Sequence, residues 1–100
     1  MVVTCNRLYV NPTYAAQFEE RFRSRAELVE ERPGFVSFQL LKPTKDGDPY
    51  IAMTHWQSME LFQAWVDSEA FKQGHAQPGA LPPEAYTQRP VLEVYEVVSA

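Results

Sequence analysis

Residues 31–66, ERPGFVSFQLLKPTKDGDPYIAMTHWQSMELFQAWV, decide the fold. Pro33-Gly34 cannot continue a helix, so the helical pattern before them stops there. Phe35 to Leu41 then alternates, with Phe35, Ser37, Gln39 and Leu41 on one face and Val36, Phe38 and Leu40 on the other. That period of two marks a strand. Pro43 to Pro49 (PTKDGDP) is a turn by composition, and Tyr50 to Gln57 reads as a strand hairpinned to the one before it. Ser58 caps a helix running from Met59 to about Asp67, whose buried side carries Leu61, Phe62, Trp65 and Val66. The stretch is a helix end, a hairpin and a second helix.

Upstream, Met1 to Val10 reads as a strand with Val2, Thr4, Asn6, Leu8 and Val10 on one face and Val3, Cys5, Arg7 and Tyr9 on the other. Asn11-Pro12 is a helix start, with Asn11 as cap and Pro12 in the first helical position. From there to about Glu31, Tyr14, Phe18, Phe22, Ala26 and Val29 recur at three- and four-residue spacing and form one buried stripe. Downstream, Ser68 is placed to cap a short further helix reaching His75. Gln77 to Pro90 holds four prolines and few apolar residues, which predicts a mobile loop. Val91 to Val98 is the closing strand. The order βαββαβ gives an α+β, ferredoxin-like split βαβ with both helices on one face of an antiparallel sheet. The opposite face, with Val3, Tyr9 and the aromatic strand residues, then needs a cover. A homodimer stacking sheet on sheet into an α/β-barrel is the expectation.

The chain's 100 residues are expected to form one domain, 1–100. Apolar residues make up 45% and aromatics 13%, which excludes a disordered class. A net charge of −4 argues against a nucleic-acid module, which carries a basic stripe. Cys5 is the single cysteine, so neither an internal disulfide nor a cysteine cluster can form. No apolar run approaches the ~20 residues that span a bilayer. The N-terminus lacks the charged start and apolar core of a signal peptide. No membrane association and a cytoplasmic location are expected.

Candidate functional residues stand at Asn6, Trp65 and His75. A strand amide facing inward costs free energy unless it is partnered, so Asn6 is either a structural amide or a donor aimed into a pocket. Trp65 is either core packing or a rigid wall for a planar ligand. His75, beside Gly74, is either a surface residue or a neutral imidazole ligand to haem iron, Gly74 leaving room for the ligand plane. His55, on the face with Ile51 and Met53, reads as structural. Arg21 and Arg25 lie four apart beside Phe22, as a solvated flank or as a clamp for carboxylates. Other chemistries fit worse. Gly34, Gly47, Gly74 and Gly79 are scattered and form no phosphate loop. Adjacent carboxylates such as Glu19-Glu20 and Glu30-Glu31 diverge on a helix.

Nearly the whole chain resembles the antibiotic biosynthesis monooxygenase superfamily of small dimeric ferredoxin-like proteins, and within it the IsdG-type haem-degrading monooxygenases, including the MhuD branch. The segments that carry the resemblance are RFRSRAELVEERPGFVSFQLLKP (Arg21 to Pro43) and THWQSMELFQAWVDSEAFKQGHA (Thr54 to Ala76). The PGF and THW patterns run through the superfamily. The haem branch is marked by an Asn in the first strand, a Trp on the second helix and a downstream His, the places held here by Asn6, Trp65 and His75. Trp65 and His75 are ten residues apart, as in the IsdG type, whereas the MhuD branch is one shorter; the arginines and the middle of the chain look more MhuD-like.

The resemblance implies that haem is both substrate and cofactor. His75 would be the axial iron ligand, and Asn6 a hydrogen-bond donor to oxygen on the distal side. Trp65 would press the porphyrin out of plane, Phe22 would contact the macrocycle, and Arg25 with Arg21 would pair with propionates. The reaction implied is oxidative ring opening with O2 and electrons from an external donor, a reductase or small reductant, releasing iron. Two rivals accompany it: a cofactor-free monooxygenase of the same superfamily acting on quinols or aromatics, and a non-catalytic haem-binding protein.

Overall fold

Asn11 and Ser58 start the two helices through the same chemistry. In the computed structural model, which describes residues 1–68 and 81–99 and only the helical backbone of 24–29, the Thr13 amide donates to Asn11 Oδ1 across 3.1 Å. Pro12–Tyr14 forms a 3-10 turn that runs into helix α1, Ala15–Glu30. The Leu61 amide donates to Ser58 Oγ across 3.3 Å at the head of helix α2, Met59–Val66. Each cap satisfies an amide that the first helical turn leaves open, an effect of about 1 kcal/mol.

Four strands, β1 (Val2–Leu8), β2 (Phe35–Leu41), β3 (Tyr50–Trp56) and β4 (Val91–Glu96), form one antiparallel sheet in the order β2-β3-β1-β4. This is the expected βαββαβ, ferredoxin-like arrangement. The register sets Val2 opposite Trp56, Asn6 opposite Ala52 and Leu8 opposite Tyr50; on the other flank Thr4 faces Val94 and Asn6 faces Leu92. Opposed residues share a face, so Val2, Thr4, Asn6 and Leu8 all point to the helix side.

Two apolar clusters fill that side. Leu8, Phe18, Phe22, Tyr50 and Ala52 are buried together beneath α1, with Val10, Phe38, Leu40, Leu81 and Tyr86 packed around them. Trp56 and Phe62 are buried beneath α2, with Phe35, Trp65 and Val66 against them. The expected stripes of both helices face the sheet through Phe18 and Phe22 on α1 and Phe62 on α2; the side chains of Ala26 and Val29 lie outside the described residues.

Three expectations need correction. The register slips between Phe35 and Ser37, so Phe35 shares its face with Phe38 and Leu40 rather than with Ser37 and Gln39. A bulge re-aims the residue after the Pro33-Gly34 turn and sends its ring edge-on to Trp56, with centroids 6.1 Å apart. The described part of the proline-rich segment is anchored rather than loose. The Asn11 amide donates to Ala85 O (2.7 Å), the Thr87 amide to Tyr9 O (2.8 Å), and Val10 bridges Tyr86. Ala85 is fully buried there, because its small side chain fits where the 3-10 turn Pro83–Ala85 presses on the core. Strand β4 also ends at Glu96, two residues before the expected limit.

Candidate functional site

Along the helix-side face of β1, the residues change character between the two clusters. Val2 abuts the Trp56 cluster and Leu8 the Tyr50 cluster. Between them stand Thr4 opposite Thr54 and Asn6 opposite Ala52, all short side chains. On the β4 flank, Leu92 and Val94 occupy the same face but remain 57% and 39% exposed. Apolar side chains on the covered side of a sheet are ordinarily buried, so Leu92 and Val94 form an exposed apolar strip beside a polar seam of Thr4 and Asn6.

Asn6 is half-buried at this seam and makes no side-chain hydrogen bond to another described residue. A carboxamide so placed offers two N–H donors and an acceptor to whatever enters. Phe22, from α1, lies in the adjacent cluster with Ala52, stacked on Phe38 at 6.3 Å and 11° between planes. Trp65, half-buried on α2, stands with the cluster at the far end of the seam, near Trp56 and thus near Val2. Asn6 is four residues from Val2, about 13 Å along the strand. Asn6 and Trp65 therefore stand apart, on different elements of the same covered side. Arg21 is half-buried on α1 and already interacts with its surroundings. His75 and the short helix expected to reach it lie outside the described residues, as does the side chain of Arg25. Ser68, expected to cap that helix, donates through its hydroxyl to Trp65 O across 2.6 Å, closing the end of α2.

Two features escaped the sequence reading. Arg32 places its guanidinium over the Trp65 ring, 5.7 Å from the centroid. The Tyr50 hydroxyl donates to Glu19 Oε2 across 2.6 Å, and Lys42 Nζ lies 3.2 Å from the same oxygen. Those partners hold the Glu19 carboxyl below the usual range, the Tyr50 bond first and Lys42 second. Burial, then Glu19, pushes the Tyr50 phenol up to about 12. No local signal links Arg32 to Trp65 or Glu19 to Tyr50.

The sheet's other face carries Val3, Cys5, Arg7, Ile51, Met53, His55 and Tyr95. Arg7 Nε lies 2.5 Å from Glu93 Oε1, and Ser37 Oγ lies 3.3 Å from His55 Nδ1, in keeping with a structural His55. Burial is the main cause that raises the Cys5 thiol above its usual range, so it is a poor nucleophile. Among the described residues, no cluster of His, Cys, Asp and Glu has the makings of a metal site.

An antiparallel four-stranded sheet in the order β2-β3-β1-β4 with two helices on one face defines a ferredoxin-like α+β protein. The chain belongs to the antibiotic biosynthesis monooxygenase family, whose sequence model matches residues 1–77. A "Heme oxygenase (mycobilin-producing)" of Mycobacterium tuberculosis is 45% identical over 69 residues, covering 69% of this chain and 66% of its own length. A "Heme-degrading monooxygenase" of Bacillus cereus is 32% identical over 84 residues, covering 82% of this chain and 78% of its own. Among solved structures, the M. tuberculosis heme-degrader MhuD with two hemes bound in its active site superposes with a TM-score of 0.79 and 38% identity, covering 100% of this chain and 98% of that one.

Proposed function

We propose that this chain, a single domain over 1–100, is a haem-degrading monooxygenase. It binds haem as substrate and cofactor, uses O2 and external electrons to open the porphyrin ring, and releases iron. The observation that carries the reading is the full-length likeness to MhuD, a protein with haem in its active site. The exposed apolar Leu92 and Val94 would form one wall of the haem groove, with Asn6, which has no side-chain partner among the described residues, on its floor.

In this reading His75 ligates the iron through a neutral imidazole. Asn6 directs its N–H groups at the oxygen side of the ring, beside the short side chains of Thr4, Thr54 and Ala52. Trp65 presses on the macrocycle from α2 and Phe22 lines the α1 side, while Arg21 and Arg25 pair with the propionates. Haem supplies the oxygen chemistry when bound; the chain supplies ligation, orientation and shape. With Cys5 its single thiol, the chain holds no dithiol couple, so electrons come from a reductase or small reductant. Two copies stack their outer sheet faces, covering Val3, Ile51, Met53 and Tyr95. Among the described residues no helix is long and apolar enough to cross a membrane, and the enzyme works in the cytoplasm, without nucleic acid.

The test is the aerobic absorbance time course of haem-loaded protein with ascorbate, catalase being present to remove free peroxide. Decay of the Soret band with release of chelatable iron is expected. A stable, ligated Soret band would make the protein a haem carrier, and oxygen uptake with a quinol and no haem would make it a cofactor-free oxygenase. Sedimentation at micromolar concentration is expected to give the dimer mass; a monomer would refute the stacked faces.

A further inference from the structure

Arg32, Pro33, Gly34 and Phe35 form a tight turn, closed by the Phe35 amide donating to Arg32 O across 3.1 Å. Gly34 has φ +86°, a conformation that favours glycine, and Pro33 before it fixes the turn's other central residue. Two contacts bind this turn to α2. The Gln57 amide, just ahead of the Ser58 cap, donates to Gly34 O across 2.8 Å. Gly34 also lies so close to Leu61 that an added Cβ would stand 2.5 Å from Leu61 Cδ1. The turn and α2 therefore form one rigid unit.

Leu61 and Trp65 are four apart on α2 and share a face, one helical turn apart. The turn that grips Leu61 thus delivers Arg32 to the next position along, where its guanidinium lies over the Trp65 ring at 5.7 Å, within cation–π range. Arg32 Nε is buried and, among the described residues, has no hydrogen-bond partner. Nor does Arg32 pair with a described carboxylate. Among the described residues its charge is therefore directed at the indole face rather than at an acid.

We propose that Arg32 is a positioning residue for Trp65: the Arg32–Pro33–Gly34–Phe35 turn holds the guanidinium over one face of the indole and fixes the ring's orientation toward the haem groove. The second half of this statement rests on the proposed role of Trp65 at haem; the first half concerns the ligand-free protein alone. A cation on one face stiffens an aromatic wall that has to push on a planar ligand with the remainder of its surface. Without the cation, the indole can yield to the ring instead of deforming it.

The test uses full-length protein labelled with 5-fluorotryptophan. The chain has two tryptophans, so two fluorine resonances result, the Trp65 line being assigned with Trp65→Phe. In ligand-free Arg32→Met, whose side chain keeps an unbranched stem without the charge, the Trp65 line is expected to move while the Trp56 line stays. Arg32→Lys restores it in part. A merely structural role would disturb both lines, and an unmoved Trp65 line overturns the clamp; Arg32→Gln serves as a second neutral variant should Arg32→Met not fold. With haem bound, Soret decay under ascorbate and catalase is expected to slow by roughly two- to fivefold in Arg32→Met and to recover in Arg32→Lys, haem affinity changing by less than about twofold. An unchanged decay rate overturns the positioning role. If Trp65→Phe itself leaves the haem spectrum and turnover unaltered, Trp65 is not a wall of the site, and the haem half of the proposal falls while the moved fluorine line still records the clamp.

Discussion

The phenol of Tyr50 and the carboxylate of Glu19 meet at 2.6 Å and tie the third strand to the first helix three residues before Phe22. The bond sits at the rim of the cluster that holds Phe22, so it fixes the helix flank carrying that ring and Arg21. Lys42 completes the group at 3.2 Å.

A pH dependence follows from this pair. The Tyr50 phenol is raised from 10.0 to about 12 in the folded chain, by burial first and the Glu19 bond second. Its contribution to stability is complete below pH 10, and is lost as pH climbs to about 12, because the unfolded chain releases the proton first. Tyr50→Phe is expected to lower stability at pH 7 by about 1–2 kcal/mol and to flatten the decline between pH 10 and 12. Urea midpoints of the two proteins across that range check it; curves that stay parallel would contradict the assignment. On the acid side the sign reverses. Glu19 is held below 4.5, so its contribution is present above that pH and lost as pH falls, a loss that Glu19→Gln removes.

Gly34 and Gly47 offer an internal comparison. Both have positive φ, +86° and +90°, but an added Cβ at Gly34 meets Leu61 at 2.5 Å whereas at Gly47 it meets nothing within 4 Å. Gly47→Ala carries the conformational cost alone, about 1 kcal/mol, while Gly34→Ala adds overpacking and reaches about 2–4 kcal/mol. Chemical denaturation measures both. Equal losses at the two positions would mean that the turn does not press on α2.

These cases also show what short-range chemistry reveals and what it conceals. Asn11-Pro12, Pro33-Gly34 and Ser58 act on their immediate neighbours, so the helix boundaries they set were readable from residue type. The limits Phe35–Leu41 for β2 were equally plain, since alternation is local. The bulge at Phe35 was not, because a slipped register is decided by the partner strand and by Trp56. The anchoring of Ala85 depends on Asn11 and Tyr9, more than seventy positions away, so a composition rule for loops misjudged it. For the site, Asn6 was legible as an inward-facing strand amide. The exposure of Leu92 and Val94 beside it depends on how much of that face the helices cover, which alternation does not encode. Arg32 was hidden for a related reason: its target lies 33 residues on, across a turn whose grip on Leu61 only packing discloses.

His75→Ala separates a ligand from a surface histidine. An axial imidazole sets the position of the Soret band and the ligand-field bands. Its removal is expected to abolish the ligated spectrum and to weaken haem binding by about tenfold or more, with added imidazole restoring the band. A variant with the wild-type spectrum would remove His75 from the iron and turn attention to another ligand.

Asn6 allows the sharpest separation, because its structural and functional readings predict opposite results. A structural amide would be partnered within the fold, and Asn6→Ala would cost about 1–3 kcal/mol by orphaning that partner. Asn6 instead makes no side-chain bond to a described residue and faces the groove between Ala52 and the exposed Leu92. Asn6→Ala is therefore expected to leave the urea midpoint nearly unchanged and to keep haem affinity within about threefold, while Soret decay under ascorbate slows by about tenfold or more, the scale of losing one directed donor. Asn6→Leu, which makes the seam apolar, is expected to bind haem at least as tightly and turn it over no faster than Asn6→Ala. A destabilised Asn6→Ala with normal turnover would return the residue to the core and leave the groove without its donor.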